Sequence, residues 1–271
     1  IENKIYIFIT KDYLNNISQN ENLNIEYIVK SNFLKNIFLR ILWMQFFLPL
    51  ELKFLKVQQL FSPMNMGPIS LKLLNIKFTL ALHSNLPWVF FSKMPGNFLR
   101  NYLTKILMEV SIRVCDRLIV DSEFAKNEII KLLNIDEKKV FSIYLGIDKK
   151  FLSEKKNDFF LENFEYKNYI ISVLSCVRYH NIINLLKGFK LLKEENNISL
   201  RFIFALQILD KKYFEEIKKF VKDNFKKDEI IFLHNLNNNF LINLYKNAKF
   251  YIFSSYCEVF GLTSLEAMSQ G

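Results

Sequence analysis

The second half of the chain repeats one pattern: a short, nearly unbroken apolar run, then a longer segment with helical spacing. The apolar runs are "YIISVLS", "SLRFIFAL", "EIIFLH" and "FYIFSS". Between and after them come "NIINLLKGFKLLKEE", "KKYFEEIKKFVKDNF", "NNFLINLYKNA" and "TSLEAMSQ". Strands that are apolar on both faces must be covered on both faces. Helices alternating with them supply that cover, so the pattern predicts an α/β domain with a parallel sheet.

The first half shows the same alternation less regularly. "KIYIFIT" reads as an opening strand and leads into a polar, Asn-rich stretch. Residues 33–60 are amphipathic and helical, with a break expected near Pro49. "VQQLFSP", "KFTLALH", "DRLIVDS" and "KVFSIYLGID" read as strands, while "NFLRNYLTKILMEVSIRVC" and "SEFAKNEIIKLL" read as helices, the second capped by Ser122. Residues 149–168 are charge-rich and aperiodic, which suits a linker. The 271 residues therefore divide into an N-terminal domain over 1–148 and a C-terminal domain over 169–271.

Composition narrows the function classes. The net charge of +10 is dispersed, and no nucleic-acid-binding motif accompanies it. It reads first as a solvated surface, and next fits phosphate-bearing substrates or an anionic membrane face better than nucleic acid. Three cysteines without a CxxC spacing give neither a disulfide framework nor a zinc site, and point to a reducing cytoplasm. The stretch "FLKNIFLRILWMQFFLPL" is interrupted by Lys35 and Arg40. It is too short to span a bilayer and reads as a buried or an interfacial helix.

The chemistry concentrates in "SSYCEVFGLTSLEAMSQG", residues 254–271. In open α/β sheets ligands bind beyond the carboxyl ends of strands. Here a strand end is followed by Gly261 and a helix start near Thr263, an arrangement that suits phosphate. Glu258 and Glu266 flank it, and carboxylates are good acceptors for vicinal hydroxyls. A nucleotide-sugar has hydroxyls at both ends and phosphates between. Two plainer readings stay open from spacing alone: Thr263 to Glu266 as a capping box, and Glu258 as a solvated loop acid.

The stretch Glu258, Phe260, Gly261, Leu262, Glu266, Ala267, Met268 and Gly271 resembles the signature of retaining GT-B glycosyltransferases of family 4. "CDRLIVDSEFAKNEIIKLLNIDEKKVFSIYLGID", "LYKNAKFYIFSS", "LFSPMNMGP" and "LALHSNLPW" are similar to further segments of that family. The resemblance implies a GT-B fold of two Rossmann-like domains with parallel sheets, both incomplete here. Family elements would precede Ile1 and follow Gly271, so the chain is expected to be a fragment.

By the same resemblance, Glu266 would hold the nucleotide ribose and Glu258 the donor sugar. Backbone amides around Phe260, Gly261, Leu262 and Thr263 would meet the sugar and diphosphate. His83 would lie near the reacting carbon. No metal and no cofactor would be needed, but cations should offset the diphosphate charge. The family's Arg and Lys after the first C-domain strand are replaced by Ser175 and His180, the latter beside Asn181, with Arg178 two residues earlier. Arg178 and His180 are the candidate phosphate contacts, and His180 alternatively reads as a surface residue at a helix start. Leu206 and Gln207 stand where the family has a glycine, and Ser84 follows His83.

The implied function is transfer of a hexose from a nucleoside-diphosphate sugar to a saccharide or lipid-linked acceptor during polysaccharide assembly. The setting would be cytoplasmic, with peripheral contact to the anionic inner membrane face. The alternatives are a non-catalytic GT-B subunit, or another GT-B enzyme such as an epimerase or phosphorylase.

Overall fold

The computed structural model describes residues 4–14, 24–152, 167–196 and 199–271. Most of the expected linker, 153–166, and most of the Asn-rich stretch, 15–23, lie outside the described residues. Two compact units emerge. One comprises Ile1–Ala81 with Met108–Leu118, the other Leu82–Leu107 with Ile119–Gly271.

In the first unit, β1 (Ile5–Thr10) pairs in parallel with β2 (Ile25–Lys30). β2, "IEYIVK", has no counterpart in the sequence reading, where it merges with the polar stretch before it. The predicted helical region is a chain of turns: a 3-10 turn Asn32–Lys35, an α-turn segment Ile37–Leu42, a wide π-type turn Trp43–Phe47 and a helix Leu48–Phe54. Pro49 stands in the first turn of that last helix, directly after the wide turn. The helix ends six residues short of the expected end at 60, because β3 (Gln59–Ser62) claims the chain and pairs in parallel with β4 (Lys77–Leu82).

Met44, Leu48 and Leu52 point inward and are buried. On the opposite side Phe38, Leu42, Phe46, Leu50 and Phe54 are all at least half exposed. The stretch is thus apolar on two sides, and only one of them is covered among the described residues. Gln45 links this run to the turn before β4, donating to the Gly67 carbonyl and accepting from the Ile69 amide.

The second sheet has the order β3-β4-β5-β6, with β5 at Arg117–Val120 and β6 at Val140–Ser142. Helix α1 (Phe98–Val114) precedes β5, and α2 (Glu123–Leu133) follows it. As expected, Ser122 caps α2, its Oγ accepting from the Ala125 amide at 3.0 Å.

The third sheet lies in the second unit, in the order β7-β8-β9, all parallel: Tyr169–Cys176, Arg201–Ile208 and Ile230–Leu233. Alternate side chains of a strand feed opposite faces. Ile170, Leu174 and Cys176 join Phe202, Phe204 and Leu206 in a core covered by α3 (Ile182–Asn196) and α4 (Lys211–Asn224). Tyr169 and Ile171 join Ile203 and Ile231 in a second core covered by α5 (Asn238–Asn247). Both faces are filled, which is why the strands read as continuous apolar runs. The expected strand "FYIFSS" is reduced to a bridge between Tyr251 and Ile171. The Ile171 amide donates to the Phe250 carbonyl, and the Ile252 amide to the Ile171 carbonyl. The chain then turns off through Ser254, whose hydroxyl donates to the His180 carbonyl.

With only 6 glycines in the sequence, asparagine takes over the left-handed positions. Asn65, Asn75, Asn134, Asn168, Asn181 and Asn235 all have positive φ. Asparagine tolerates that region because its short amide can bond locally. Its abundance therefore has a structural use beyond compositional bias.

Candidate active site

Most of the residues singled out in the sequence follow the carboxyl ends of strands. His83 directly follows β4. Asp121 directly follows β5, the neighbouring strand, and Ser122 comes next. The His83 Nδ1 lies 2.9 and 3.0 Å from the two oxygens of Asp121. The ring is exposed while Asp121 is buried. Ser122, besides capping α2, donates through Oγ to the Val259 carbonyl at 2.6 Å. That bond ties the start of α2 to the loop carrying Glu258.

The loop from Ser255 to Gly261 is fixed by short-range bonds. The Ser255 hydroxyl donates to the Cys257 carbonyl and accepts from the Cys257 amide. The Cys257 thiol donates to Asn85 Oδ1 at 3.0 Å. Tyr256 stacks on Phe90 at 5.6 Å, and Phe260 lies tilted against Tyr144 at 6.2 Å. Gly261 has φ +81, and an added Cβ would meet nothing closer than 3.6 Å. Its backbone conformation, not crowding, calls for glycine there.

Helix α6 (Leu262–Met268) starts after Gly261, and no side chain caps it. The capping-box alternative for Thr263 and Glu266 is therefore not formed. Thr263 instead accepts from the Tyr251 hydroxyl at 2.7 Å, and Glu266 accepts from the Tyr245 hydroxyl at 3.3 Å. Neither Glu258 nor Glu266 forms an ion pair among the described residues.

Both carboxyl groups have raised pKa values, with the desolvating protein around them as the main cause. Glu258 keeps a solvent-exposed surface all the same, and Glu266 is half-buried. Part of the upward shift at Glu258 comes from the nearby charge of Asp121. The backbone amides of Gly261, Val259 and Phe260 oppose it by bonding to the Glu258 carboxylate. The amides of Phe260 and Gly261, expected to face a ligand's sugar and diphosphate, lie close enough to Glu258 to favour its ionised form.

The two candidate phosphate contacts are committed elsewhere. Arg178 donates through Nη2 to Glu216 at 2.5 Å, sits 4.0 Å from Asp210, and lies over the Tyr213 ring. His180 is buried, which removes the surface alternative. Its Nδ1–H donates to the Ser175 carbonyl at 2.6 Å, and burial lowers its pKa. A buried ring with a depressed pKa is neutral near pH 7, so His180 as placed presents no charge to a ligand, and the charge of Arg178 is paired with Glu216. Asp121 is the site residue that the sequence reading missed. It looked like the tail of a strand, and the register that sets it beside His83 is tertiary.

The family model described as Glycosyltransferase Family 4 matches residues 7–151, and the one described as Glycosyl transferases group 1 matches residues 153–271. The chain belongs to glycosyltransferase family 4. This family 4 chain is similar to the O-antigen chain mannosyltransferase RfbU of Salmonella typhimurium, with 27% identity over 191 residues. The match covers 70% of this chain and 49% of that protein, so the chain spans about half the length of this curated relative. A solved glycosyltransferase from Rickettsia africae superposes with a TM-score of 0.66 at 17% identity, covering 99% of this chain and 77% of the other. Anabaena Alr3699/HepE, solved with UDP-glucose, gives a TM-score of 0.68 at 11% identity, covering 97% and 70%. At such identities the likeness shows the fold, which is the expected α/β GT-B class with parallel sheets.

Proposed function

We propose that this family 4 chain carries the donor site of a retaining hexosyltransferase. It moves a hexose from a nucleoside-diphosphate sugar to a saccharide or lipid-linked acceptor in polysaccharide or glycoconjugate synthesis. The observation that carries this reading is the pair Glu258 and Glu266. Among the described residues both are accessible carboxylates without a cation partner, Glu258 on the loop tied to Ser122 through Val259 and Glu266 in the helix that starts after Gly261. An ion-pairing role does not explain them, whereas hydroxyl acceptance does. In this reading Glu266 takes the ribose hydroxyls, Glu258 takes donor-sugar hydroxyls, and His83 lines the reacting side. The backbone amides around Phe260 and Gly261 meet the sugar and diphosphate. No metal takes part. The RfbU likeness supports a glycan-building setting, and Alr3699/HepE, a protein of similar fold solved with UDP-glucose, supports a nucleotide-sugar donor.

The exposed stripe Phe38, Leu42, Phe46, Leu50 and Phe54, with Arg40, Lys53 and Lys56 around it, supports peripheral docking on an anionic membrane surface. Among the described residues no helix is long and apolar enough to cross a membrane. A non-catalytic GT-B subunit is the second reading, favoured by the engagement of Arg178 and the burial of His180.

Calorimetry on the full-length protein with UDP-, GDP- and ADP-sugars tests the proposal. One donor should bind, and Glu266→Ala should weaken it by about 1–3 kcal/mol. A folded wild type that binds none of them, or a mutant that binds equally well, sinks the donor-site reading. Binding without transfer to any acceptor selects the non-catalytic subunit.

A further inference from the structure

Among the described residues Asp121 is a buried carboxylate with a single polar partner, the exposed ring of His83. Burying a carboxylate costs several kcal/mol unless hydrogen bonds replace its hydration. A bond to one half-exposed imidazole replaces little of that. Asp121 also lies close enough to Glu258 to repel its charge. Stability alone would favour an apolar residue at the end of β5. The arrangement makes sense as a device acting on His83.

We infer that Asp121 is a positioning residue that sets the tautomer and direction of His83 for a ligand hydroxyl at the Glu258 site. A carboxylate only accepts, so the hydrogen shared with it belongs to Nδ1. In the neutral ring this leaves the lone pair on Nε2. Nε2 then accepts a hydrogen bond from a hydroxyl, and that is the chemistry of a sugar. With Asp121 clasping Nδ1 through both oxygens, the ring has one orientation. The loops that carry His83 and Glu258 are tied together by the Ser122–Val259 and Cys257–Asn85 bonds, so one ligand could meet a hydroxyl acceptor from each. This inference rests on the donor-site reading above and adds a residue to it.

The test uses the full-length protein and the near-isosteric Asp121→Asn, with Asp121→Val as a second variant. The chain has 3 histidines, so imidazole 15N signals can be assigned by single His→Ala changes. His83 should show Nδ1 protonated and Nε2 as acceptor, and Asp121→Asn should shift it toward the other tautomer. For transfer, Asp121→Asn should lower kcat/KM about tenfold or more, the loss of a charge-assisted hydrogen bond. The decisive readout is a double-mutant cycle. In a His83→Ala background, Asp121→Asn should cost almost nothing further.

Equal losses in both backgrounds would mean that Asp121 is only structural, and so overturn the inference. An Nε2–H tautomer in the wild type, or a ring unaffected by Asp121→Asn, overturns it as well. The spectra need no turnover. A wild type without transfer therefore strikes at the donor-site reading, while the spectra still decide what Asp121 does to His83.

Discussion

Replacing Ser122 by alanine removes two bonds made by one oxygen. The first is the cap on α2, accepted from the Ala125 amide at 3.0 Å. Losing such a cap costs about 1 kcal/mol. The second is the bond donated to the Val259 carbonyl at 2.6 Å. Ser122 and Val259 are both buried, so water does not readily replace the lost donor. A buried carbonyl left without a partner costs about 1–3 kcal/mol. Together the change should destabilise the second unit by about 2–4 kcal/mol. Urea unfolding read by circular dichroism measures it, with Ser122→Thr as control because threonine keeps the hydroxyl. Donor affinity should fall too, since Val259 directly follows Glu258. A loss below about 0.5 kcal/mol for alanine, the scale of an ordinary surface change, would refute the claim that Ser122 anchors the Glu258 loop.

Glu266→Gln should raise thermal stability at pH 7–8 while weakening donor binding. The pKa of Glu266 is raised above its ordinary 4.5 in the folded state. The folded protein therefore holds a proton that the unfolded chain releases, and stability falls as pH rises from 4.5 through the raised value. Glutamine has no charge to desolvate and still accepts from Tyr245, so the melting advantage should vanish toward pH 4, as scanning calorimetry across pH can show. Arg178→Ala should cost at most about 1 kcal/mol, because its pair with Glu216 is solvent-exposed. Donor KM should not change. A rise in KM would show that the guanidinium swings to the phosphates in the complex and reverse its assignment here.

The parallel sheet of the second unit was legible because its strands are covered on both sides. Tyr169–Cys176 carries apolar side chains to two cores at once, and that demand shows in the sequence. The Glu258–Glu266 signature was legible for a different reason, since its residues are local. β2 was not legible, being a short run after a polar stretch whose pairing with β1 is a long-range choice. Asp121 was hidden in the same way. Its partner is 38 residues away, and only the adjacency of β4 and β5 brings them together. The burial of His180 depends on the sharp bend after Ser175, whose carbonyl takes the ring hydrogen. No residue type announces that bend.

The wide turn at Trp43–Phe47 bears on the geometry of the exposed stripe. An α-helix completes a turn in 3.6 residues, so a repeat of four overshoots by about 40° at each step. From Phe38 to Phe54 the overshoot would accumulate to about 160°, and the last phenylalanine would end up nearly opposite the first. A turn that closes over more residues advances less per residue and takes back part of that drift. Taking one residue out of it would leave the composition almost untouched. It would also rotate Leu50 and Phe54 by about 100° against Phe38 and Leu42. The five side chains would then face two directions, and a flat surface could meet only half of them.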